Sequence, residues 1–269
     1  MLYWLTPYLS DFFGPFQAFQ YIGIRAGLAF IIAFIAALKI GKPLIAHLKK
    51  IGVGENVGMS DSHKVGELHK EKKKNDTPTM GGVFWLASIL IAMTLCGRLD
   101  EPLVLIGMVF IVGMGTIGFF DDQIKANPED PRNGMSRSTK MSATVLLSVL
   151  TVTSIWQMGN TGSGYPELRY IYFPLFKDAF LGEGWNILVW AVMFFVIELV
   201  FILAFSHAVN VTDGLDGLAA GSAVPVLIAL AMTTYFVGHA GYADYLNLPF
   251  IPGAGEVTVI VAATLGATL

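Results

Sequence analysis

The chain has 269 residues, of which 54% are hydrophobic and 14% are charged, and its mean hydropathy is +0.62. Soluble domains carry about 25% charged residues, so this composition excludes an ordinary water-soluble domain. The net charge of −3 offers no basic surface for nucleic acid, and the single cysteine excludes an intramolecular disulfide and a cysteine-cluster metal site.

Apolar blocks follow one another along the chain, each near the roughly 20 residues that cross a ~30 Å hydrocarbon core as a helix. They cover residues 22–41, 81–97, 103–120, 142–158, 186–206, 217–237 and 256–269. The blocks lack the alternation of a transmembrane β-barrel, and backbone groups in lipid must be satisfied within each segment, so we expect helices. The sequence therefore predicts an all-α fold: a single membrane domain over residues 1–269, built as a polytopic bundle of about seven spans.

Lysine and arginine are distributed unequally among the connections between these blocks. The connection 42–80 holds eight lysines and 121–141 holds two lysines and two arginines, whereas 98–102 holds only one arginine and 238–255 holds neither. The positive-inside rule then places 42–80, 121–141 and, by counting spans, 207–216 in the cytoplasm. The same count places the N-terminus in the periplasm.

A first polar cluster lies at the inner end of the third block, where Asp121 and Asp122 are adjacent. Two like charges ~4 Å apart repel by about 4 kcal/mol at an effective dielectric of 20, so a cation must offset them. Lys125 can reach back to both if the helix continues. The pair suits Mg²⁺ held through one or two carboxylates and substrate phosphates. An ordinary acidic helix end is the alternative, although aspartate at a C-terminal end opposes the helix dipole.

A second cluster lies between the fifth and sixth blocks. Asn210, Asp213 and Asp216 are spaced by three, which puts them on one face of a helix. Gly214 and Gly217 let a backbone approach a ligand closely. Carboxylates beside two long apolar segments usually mark function. A structural turn would explain the glycines, but not both aspartates together with Asn210.

A third cluster precedes the second block, where Pro78 fixes a tight entry and the hydroxyls of Thr77 and Thr79 can bind a phosphate or a base. A helix start with either threonine as N-cap is the alternative.

Two single charged residues stand apart from the clusters. Lys140, at the start of the fourth block, suits a phosphate clamp or a topology anchor equally, and Glu198, inside the fifth block, has no assigned role.

Together the three clusters resemble the polyprenyl-phosphate N-acetylhexosamine-1-phosphate transferase superfamily, in particular its peptidoglycan branch, the phospho-N-acetylmuramoyl-pentapeptide transferases. The string 77–82 is specific to that branch, whereas 118–122 and 210–219 are shared more widely. The resemblance covers essentially the whole chain. It implies Mg²⁺-dependent transfer of phospho-N-acetylmuramoyl-pentapeptide from its UDP derivative to undecaprenyl phosphate. UMP would leave, and the product would be the first lipid-linked peptidoglycan intermediate.

The resemblance also implies roles for individual residues. Asp121 would be the base or the group that activates the lipid phosphate, and Asp122 and Asp213 would bind the metal or the phosphates. Lys125 and Lys140 would neutralise the diphosphate. The implied substrate-binding residues are Lys74, Thr77, Thr79, Asn210, Gly214, Leu215, Asp216 and His207. Of these, Asp216, Gly214 and Leu215 with Lys74 and Thr79 would form the uridine pocket, Asn210 would position the substrate, and His207 stands where the family usually has asparagine.

For the cell, the resemblance implies a multi-pass protein of the bacterial inner membrane, with its active site facing the cytoplasm and a part in cell wall biogenesis, cell shape and cell division. A homodimer is common in the family. Members have about ten spans, and their later part carries a further essential aspartate and a histidine-rich loop. The chain therefore looks C-terminally truncated, and we expect these residues alone to be inactive.

Three other functions compete with this interpretation. Transfer of N-acetylglucosamine-1-phosphate to the same lipid would keep the aspartates, but usually not the exact string 77–82. A membrane transporter would place acidic residues deep in its spans, whereas here they lie at the cytoplasmic ends, with Glu198 as the exception. A non-catalytic membrane scaffold would leave the clustered aspartates unexplained.

Overall fold

The computed structural model describes residues 1–51, 80–125, 134–161, 164–172, 184, 186–212 and 217–269. Within these residues the chain is helical and contains no β-strand, which confirms the predicted all-α class. The α-helices are α1 Leu2–Phe12, α2 Ile22–Ile51, α3 Gly82–Cys96, α4 Pro102–Lys125, α5 Arg137–Asn160, α6 Ile187–Thr212, α7 Leu218–Val237, α8 Ala240–Tyr245 and α9 Ala254–Thr268. Short 3-10 helices cover Gly14–Gln20 and Pro166–Arg169.

Each predicted apolar block coincides with a helix, but the helices differ in length. Five segments are long and apolar enough to cross a membrane: Ile22–Leu48, Pro102–Lys125, Arg137–Asn160, Ile187–Thr212 and Leu218–Val237. Helices α3 and α9 have 15 residues each, which at 1.5 Å per residue gives about 22 Å, less than the ~30 Å hydrocarbon core. A multi-pass membrane protein is therefore supported, and the count of seven spans stays a prediction.

Helix α9 lies at the centre of the larger core, packed against α2, α3, α4 and α7. Small residues allow this close approach: a Cβ on Gly266 would collide with the backbone carbonyl of Phe30 in α2. Hydroxyls add a polar contact within the bundle, since the Oγ1 atoms of Thr234 and Thr258 lie 2.9 Å apart. The buried residues of this core are Ala26, Ala29, Ala33, Ile89, Ala92, Met93, Cys96, Val104, Val259, Ile260, Ala262, Ala263 and Ala267.

A smaller core joins α5 to α6 through Val152, Trp190 and Phe194, which are all at most 2% exposed. The ring centroids of Trp156 and Phe194 lie 5.1 Å apart, a separation typical of stabilising aromatic pairs. The indole N–H of Trp190 donates to the backbone carbonyl of Arg169 at 2.7 Å. The connection after α5 is thereby fixed to the start of α6.

Charged residues meet where α2 and α9 begin and α3 ends. Arg25 and Glu256, at 0% and 5% exposure, form a bidentate pair with both N–O distances at 2.6 Å. Arg98, in the turn between α3 and α4, lies 4.0 Å from Glu256 and 2.8 Å from Asp100. We call Arg25, Arg98, Asp100 and Glu256 the outer ion-pair network, because the predicted topology puts this end of the bundle in the periplasm.

At the opposite end, four helices extend beyond their apolar blocks. Helix α2 runs to Ile51, α4 to Lys125 and α6 to Thr212, and α5 already begins at Arg137. Helical residues therefore occupy part of each predicted loop, 42–80, 121–141 and 207–216. Hydropathy marks the end of the apolar block, whereas the backbone continues as helix for between one and three further turns. That extra turn of α4 carries the first polar cluster.

Candidate active site

The last turn of α4 carries Asp121, Asp122 and Lys125. The Lys125 ammonium folds back along the helix, with its Nζ 3.0 Å from Asp121 Oδ2 and 3.9 Å from Asp122 Oδ1. These are the (i, i+4) and (i, i+3) contacts expected on one helical face. Carboxylates at a helix C-terminus oppose the macrodipole, and the lysine offsets part of that cost.

Asp121 is almost fully enclosed, at 5% exposure. Its Oδ2 accepts from Lys125 and Lys140, each at 3.0 Å, and its Oδ1 accepts the backbone N–H of Met135 at 2.8 Å. A buried carboxylate is tolerated when it is paired and hydrogen-bonded, and here two ammonium groups and one amide meet that need. Asp121 therefore holds two cations side by side.

Gly134 allows the chain to close over Asp121. Its φ is +98°, in the left-handed region, and a Cβ added there would lie 2.7 Å from Asp121 Oδ1 and 3.0 Å from a carbon of Lys125. Only glycine combines this conformation with so close an approach. The sequence interpretation missed Gly134 and Met135; the glycine before the fourth block was the one available signal.

Lys140 lies in the first turn of α5. Ser136 caps this helix, its Oγ accepting the N–H of Thr139 at 3.1 Å. The Lys140 ammonium contacts Asp121 Oδ2 on α4 and also Asn210 Oδ1 on α6, at 3.3 Å. A cation at a helix N-terminus is electrostatically unfavourable, and the carboxylate offsets it. Lys140 thus joins three helices at one point, which a topology anchor does not require.

Asp122 is more accessible than its neighbour, with 33% of its side chain exposed. The backbone N–H of Met80 donates to its Oδ2 at 3.2 Å. Met80 directly precedes Gly81, the N-cap of α3. The end of the third polar cluster therefore meets the first one, across 42 residues of chain.

Other predicted site residues lie apart from these contacts or outside the described residues. His207 lies one turn before Asn210 on α6, and its Nε2 is buried without a hydrogen-bond partner. Glu198 lies about two and a half turns further back, within the apolar part of α6. The predicted residues outside the described part of the chain are Lys74, Thr77, Thr79, Asp213, Gly214, Leu215 and Asp216. Among the residues that the structure does describe, no three His, Cys, Asp or Glu side chains converge on a metal position.

A wide-open apolar cavity of about 550 Å³ lies between α4 and α6. Its lining includes Val209, the neighbour of Asn210, and Met114, seven residues before Asp121, or about 10 Å along the helix. The cavity thus approaches the carboxylates from the membrane side. Its lining residues are Phe110, Met114, Phe201, Ile202, Phe205, Ser206 and Val209.

Comparisons with known proteins identify the family of the chain. The model of glycosyl transferase family 4 matches residues 104–266, and a phospho-N-acetylmuramoyl-pentapeptide-transferase signature matches residues 74–86. Proteins named phospho-N-acetylmuramoyl-pentapeptide-transferase are similar over nearly the whole chain. The one from Campylobacter curvus is 35% identical over 94% of this chain and 66% of its own length. Those from Flavobacterium psychrophilum and Aquifex aeolicus are 32% and 34% identical over 100% of this chain and 72% and 69% of their own lengths.

The chain thus spans about two thirds of the length of these curated relatives. The matched regions include all three polar clusters, and the contacts of Met80, Asp121 and Lys140 bring parts of each cluster together. The resemblance inferred from the sequence is confirmed: the chain belongs to glycosyl transferase family 4 and, within it, to the phospho-N-acetylmuramoyl-pentapeptide transferases.

Proposed function

We propose that the complete protein transfers phospho-N-acetylmuramoyl-pentapeptide from its UDP derivative to undecaprenyl phosphate, at the cytoplasmic face of the bacterial inner membrane. The observation that carries the proposal is the convergence of two ammonium groups, Lys125 and Lys140, on one enclosed carboxylate, Asp121, beside the partly exposed carboxylate of Asp122. The reaction would serve cell wall biogenesis, and through it cell shape and division. The family resemblance further implies a homodimer.

In this reaction an oxygen of the lipid phosphate forms a bond to the β-phosphorus of the nucleotide. The bond from that phosphorus to the bridging oxygen breaks, and the electron pair leaves with UMP. Such a transfer requires mainly positioning and neutralisation of phosphate charge. Lys125 and Lys140 can neutralise the phosphate charge by leaving Asp121 and binding an oxygen of the diphosphate. Both ammonium groups already lie at the same point, so they can bind it together.

Movement of the lysines toward the substrate would free Asp121 Oδ2 to accept a proton. The demand on this base is modest, because a phosphate monoester loses its second proton with a pKa near 6. Asn210, held by Lys140, lies where it can orient a phosphate oxygen. Asp121 thus has two proposed tasks: it stores the cations before substrate binds, and it accepts the proton afterwards.

The residues present fit a magnesium ion in one respect: Asp122 offers a partly exposed carboxylate directly beside Lys125. Mg²⁺ is typically held by one or two carboxylates together with substrate phosphates. We propose Asp122 and Asp213 as its protein ligands, the latter lying outside the described residues. When bound, the ion would neutralise negative charge on the diphosphate.

The apolar cavity between α4 and α6 is proposed to receive the isoprenoid tail of the acceptor lipid. Three aromatic rings line it, and its position below Asp121 would let a lipid phosphate reach the lysines while the tail stays in the membrane. Bilayer hydrocarbon is as apolar as the cavity, so the tail would gain no hydrophobic burial on entering it, and packing of its isoprene groups against the aromatic rings would hold it there. His207 and the residues of the predicted uridine pocket are proposed to bind the nucleotide sugar. Two of these residues, Lys74 and Thr79, lie within the signature over residues 74–86.

The decisive experiment is transfer by the complete, purified protein in liposomes that contain undecaprenyl phosphate. UDP-N-acetylmuramoyl-pentapeptide is compared with UDP-N-acetylglucosamine, with and without Mg²⁺, and both UMP and the lipid product are measured. We expect product only from the muramoyl substrate and only with Mg²⁺. If lipid product forms only from UDP-N-acetylglucosamine, the protein transfers N-acetylglucosamine-1-phosphate instead. If either nucleotide enters the liposomes without release of UMP, the protein is a transporter.

A further inference from the structure

The backbone amide of Met80 contacts one of the two adjacent carboxylates. Its N–H donates to Asp122 Oδ2 at 3.2 Å, while Asp122 Oδ1 faces Lys125 at 3.9 Å. One oxygen is therefore fixed by a backbone donor, and the other is turned toward the lysine. A carboxylate held in this way keeps one orientation, although a third of its side chain is exposed.

The conformation of Met80 is unusual for its residue type. Its φ is +72°, and Asn247 is the other non-glycine residue with positive φ in the described part of the chain. Asparagine adopts the left-handed region readily, whereas for methionine the contact of Cβ with the backbone is unfavourable. Strain of this kind concentrates at functional positions. At Met80 it directs the N–H at Asp122.

The neighbouring carboxylate is held in a similar way. Gly134, with φ +98°, directs the N–H of Met135 at Asp121 Oδ1, at 2.8 Å. Each aspartate thus receives one amide from a left-handed turn, and the two turns come from different connections. The two donors therefore hold the adjacent carboxylates of Asp121 and Asp122 in separate orientations.

We propose that Met80 is a positioning residue for Asp122: its left-handed backbone fixes the carboxylate so that its second oxygen faces Lys125 and the diphosphate. The inference rests on the proposed function, which supplies the diphosphate. It concerns the main chain of Met80, so the identity of the side chain matters only through the φ value that it allows.

Two substitutions separate backbone from side chain. Met80→Gly keeps the N–H and favours positive φ, so we expect kcat near that of the wild type. Met80→Val disfavours positive φ because it is β-branched, and we expect kcat to fall by about 10²-fold, the effect of a misplacement near 1 Å. The KM for the nucleotide should change little, and the Mg²⁺ concentration for half-maximal rate should rise. Asn247→Val is the matched control: it strains the other left-handed residue and should leave both quantities unchanged.

A second measurement tests the contact without turnover. Both amide donors are methionines, so selective ¹⁵N-methionine labelling reports on Met80 and Met135 in one spectrum, with each signal assigned through a Met→Leu variant. Asp122→Ala should shift the Met80 amide and leave Met135 in place, and Asp121→Ala should do the reverse. This arm also covers the case in which Met80→Val does not fold.

Either of two kinetic results would overturn the inference: an unchanged kcat in Met80→Val, or an equal loss in Met80→Gly, which would assign the effect to the side chain. A Met80 amide signal insensitive to Asp122→Ala would overturn it as well. If the wild type makes no lipid product, the proposed function fails, while the spectra still decide whether Met80 holds Asp122.

Discussion

An acidic pair lies at each end of helix α4, one just before its first residue and one in its last turn, and the two pairs have different surroundings. At its N-terminal end, Asp100 pairs with Arg98 at 2.8 Å and Glu101 accepts from the Tyr165 hydroxyl at 2.5 Å. At its C-terminal end, Asp121 and Asp122 gather lysines and backbone amides from three other segments.

The helix dipole explains one pair and not the other. Carboxylates at a helix N-terminus are favourable, and the Arg98 hydrogen bond further holds the pKa of Asp100 below its usual value. Carboxylates at a C-terminus are unfavourable, and the compensation there needs two lysines. The pair at the N-terminal end therefore stabilises the bundle, whereas the pair at the C-terminal end makes sense as a site that exchanges cations with a substrate.

The largest difference in activity between substitutions at the two ends of α4 is expected from Asp122→Asn. The change keeps the size of the side chain and removes the charge, so kcat should fall on the order of 10³-fold or more, while thermal stability stays near that of the wild type. Asp100→Asn is the matched control at the other end of α4 and should keep full activity. Normal turnover in Asp122→Asn would remove this carboxylate from the mechanism.

The outer ion-pair network should respond in stability and not in catalysis. Removing one partner of a buried pair leaves an uncompensated charge, so Glu256→Leu should lower the free energy of unfolding by about 3–5 kcal/mol. Replacing both partners by apolar residues, Arg25→Met with Glu256→Leu, should recover most of that loss. Unfolding in mixed micelles measures both variants, and kcat of the folded fraction should not change.

If Glu256→Leu were as stable as the wild type, the pair would have no structural role. If the double variant folded well but had lost its activity, the network would have a part in catalysis, and a purely structural role would be contradicted. The two ends of α4 would then no longer differ in kind.

Local contacts of the site could be predicted from the sequence, and distant ones could not. Lys125 reaches Asp121 because residues four apart share a helical face, so spacing alone was sufficient. Lys140 lies 19 residues away, and its contact depends on how Gly134 turns the chain. The amide donors Met80 and Met135 could not be recognised in the sequence, since every residue but proline has an N–H, and only the glycine before Met135 marked a tight turn.

The helices themselves followed from hydropathy, but their ends and their neighbours did not. Helix α4 continues to Lys125 because polar residues can extend a helix beyond the apolar block. Arg25 and Glu256 are 231 residues apart. A charge of each sign in the first turn of an apolar block was a usable signal, since charges in spans usually pair. Choosing the partner required knowing that α2 packs against α9, which depends on the fit of small residues such as Gly266.

The smallest effect is expected at Tyr165, which donates to Glu101 at the N-terminal end of α4. Glu101 is 9% exposed, so Tyr165→Phe leaves a nearly buried carboxylate without this donor and should lower the free energy of unfolding by about 1–2 kcal/mol. Tyr21→Phe, at a tyrosine with 70% exposure, is the control and should change nothing.

The pH dependence of that loss sharpens the test. Burial, followed by the hydrogen bond to Glu101, raises the pKa of Tyr165 to about 12. Because this value lies above the ordinary tyrosine pKa near 10, the stabilisation is fully present below about pH 10 and is lost as the pH rises toward 12. The difference in stability between wild type and Tyr165→Phe should therefore shrink over that interval, with kcat at neutral pH equal in both. If the difference in stability between wild type and Tyr165→Phe stayed constant from pH 8 to 12, Glu101 would not hold the Tyr165 hydroxyl. A stabilising role would then remain only for Asp100 in the acidic pair at the N-terminal end of α4.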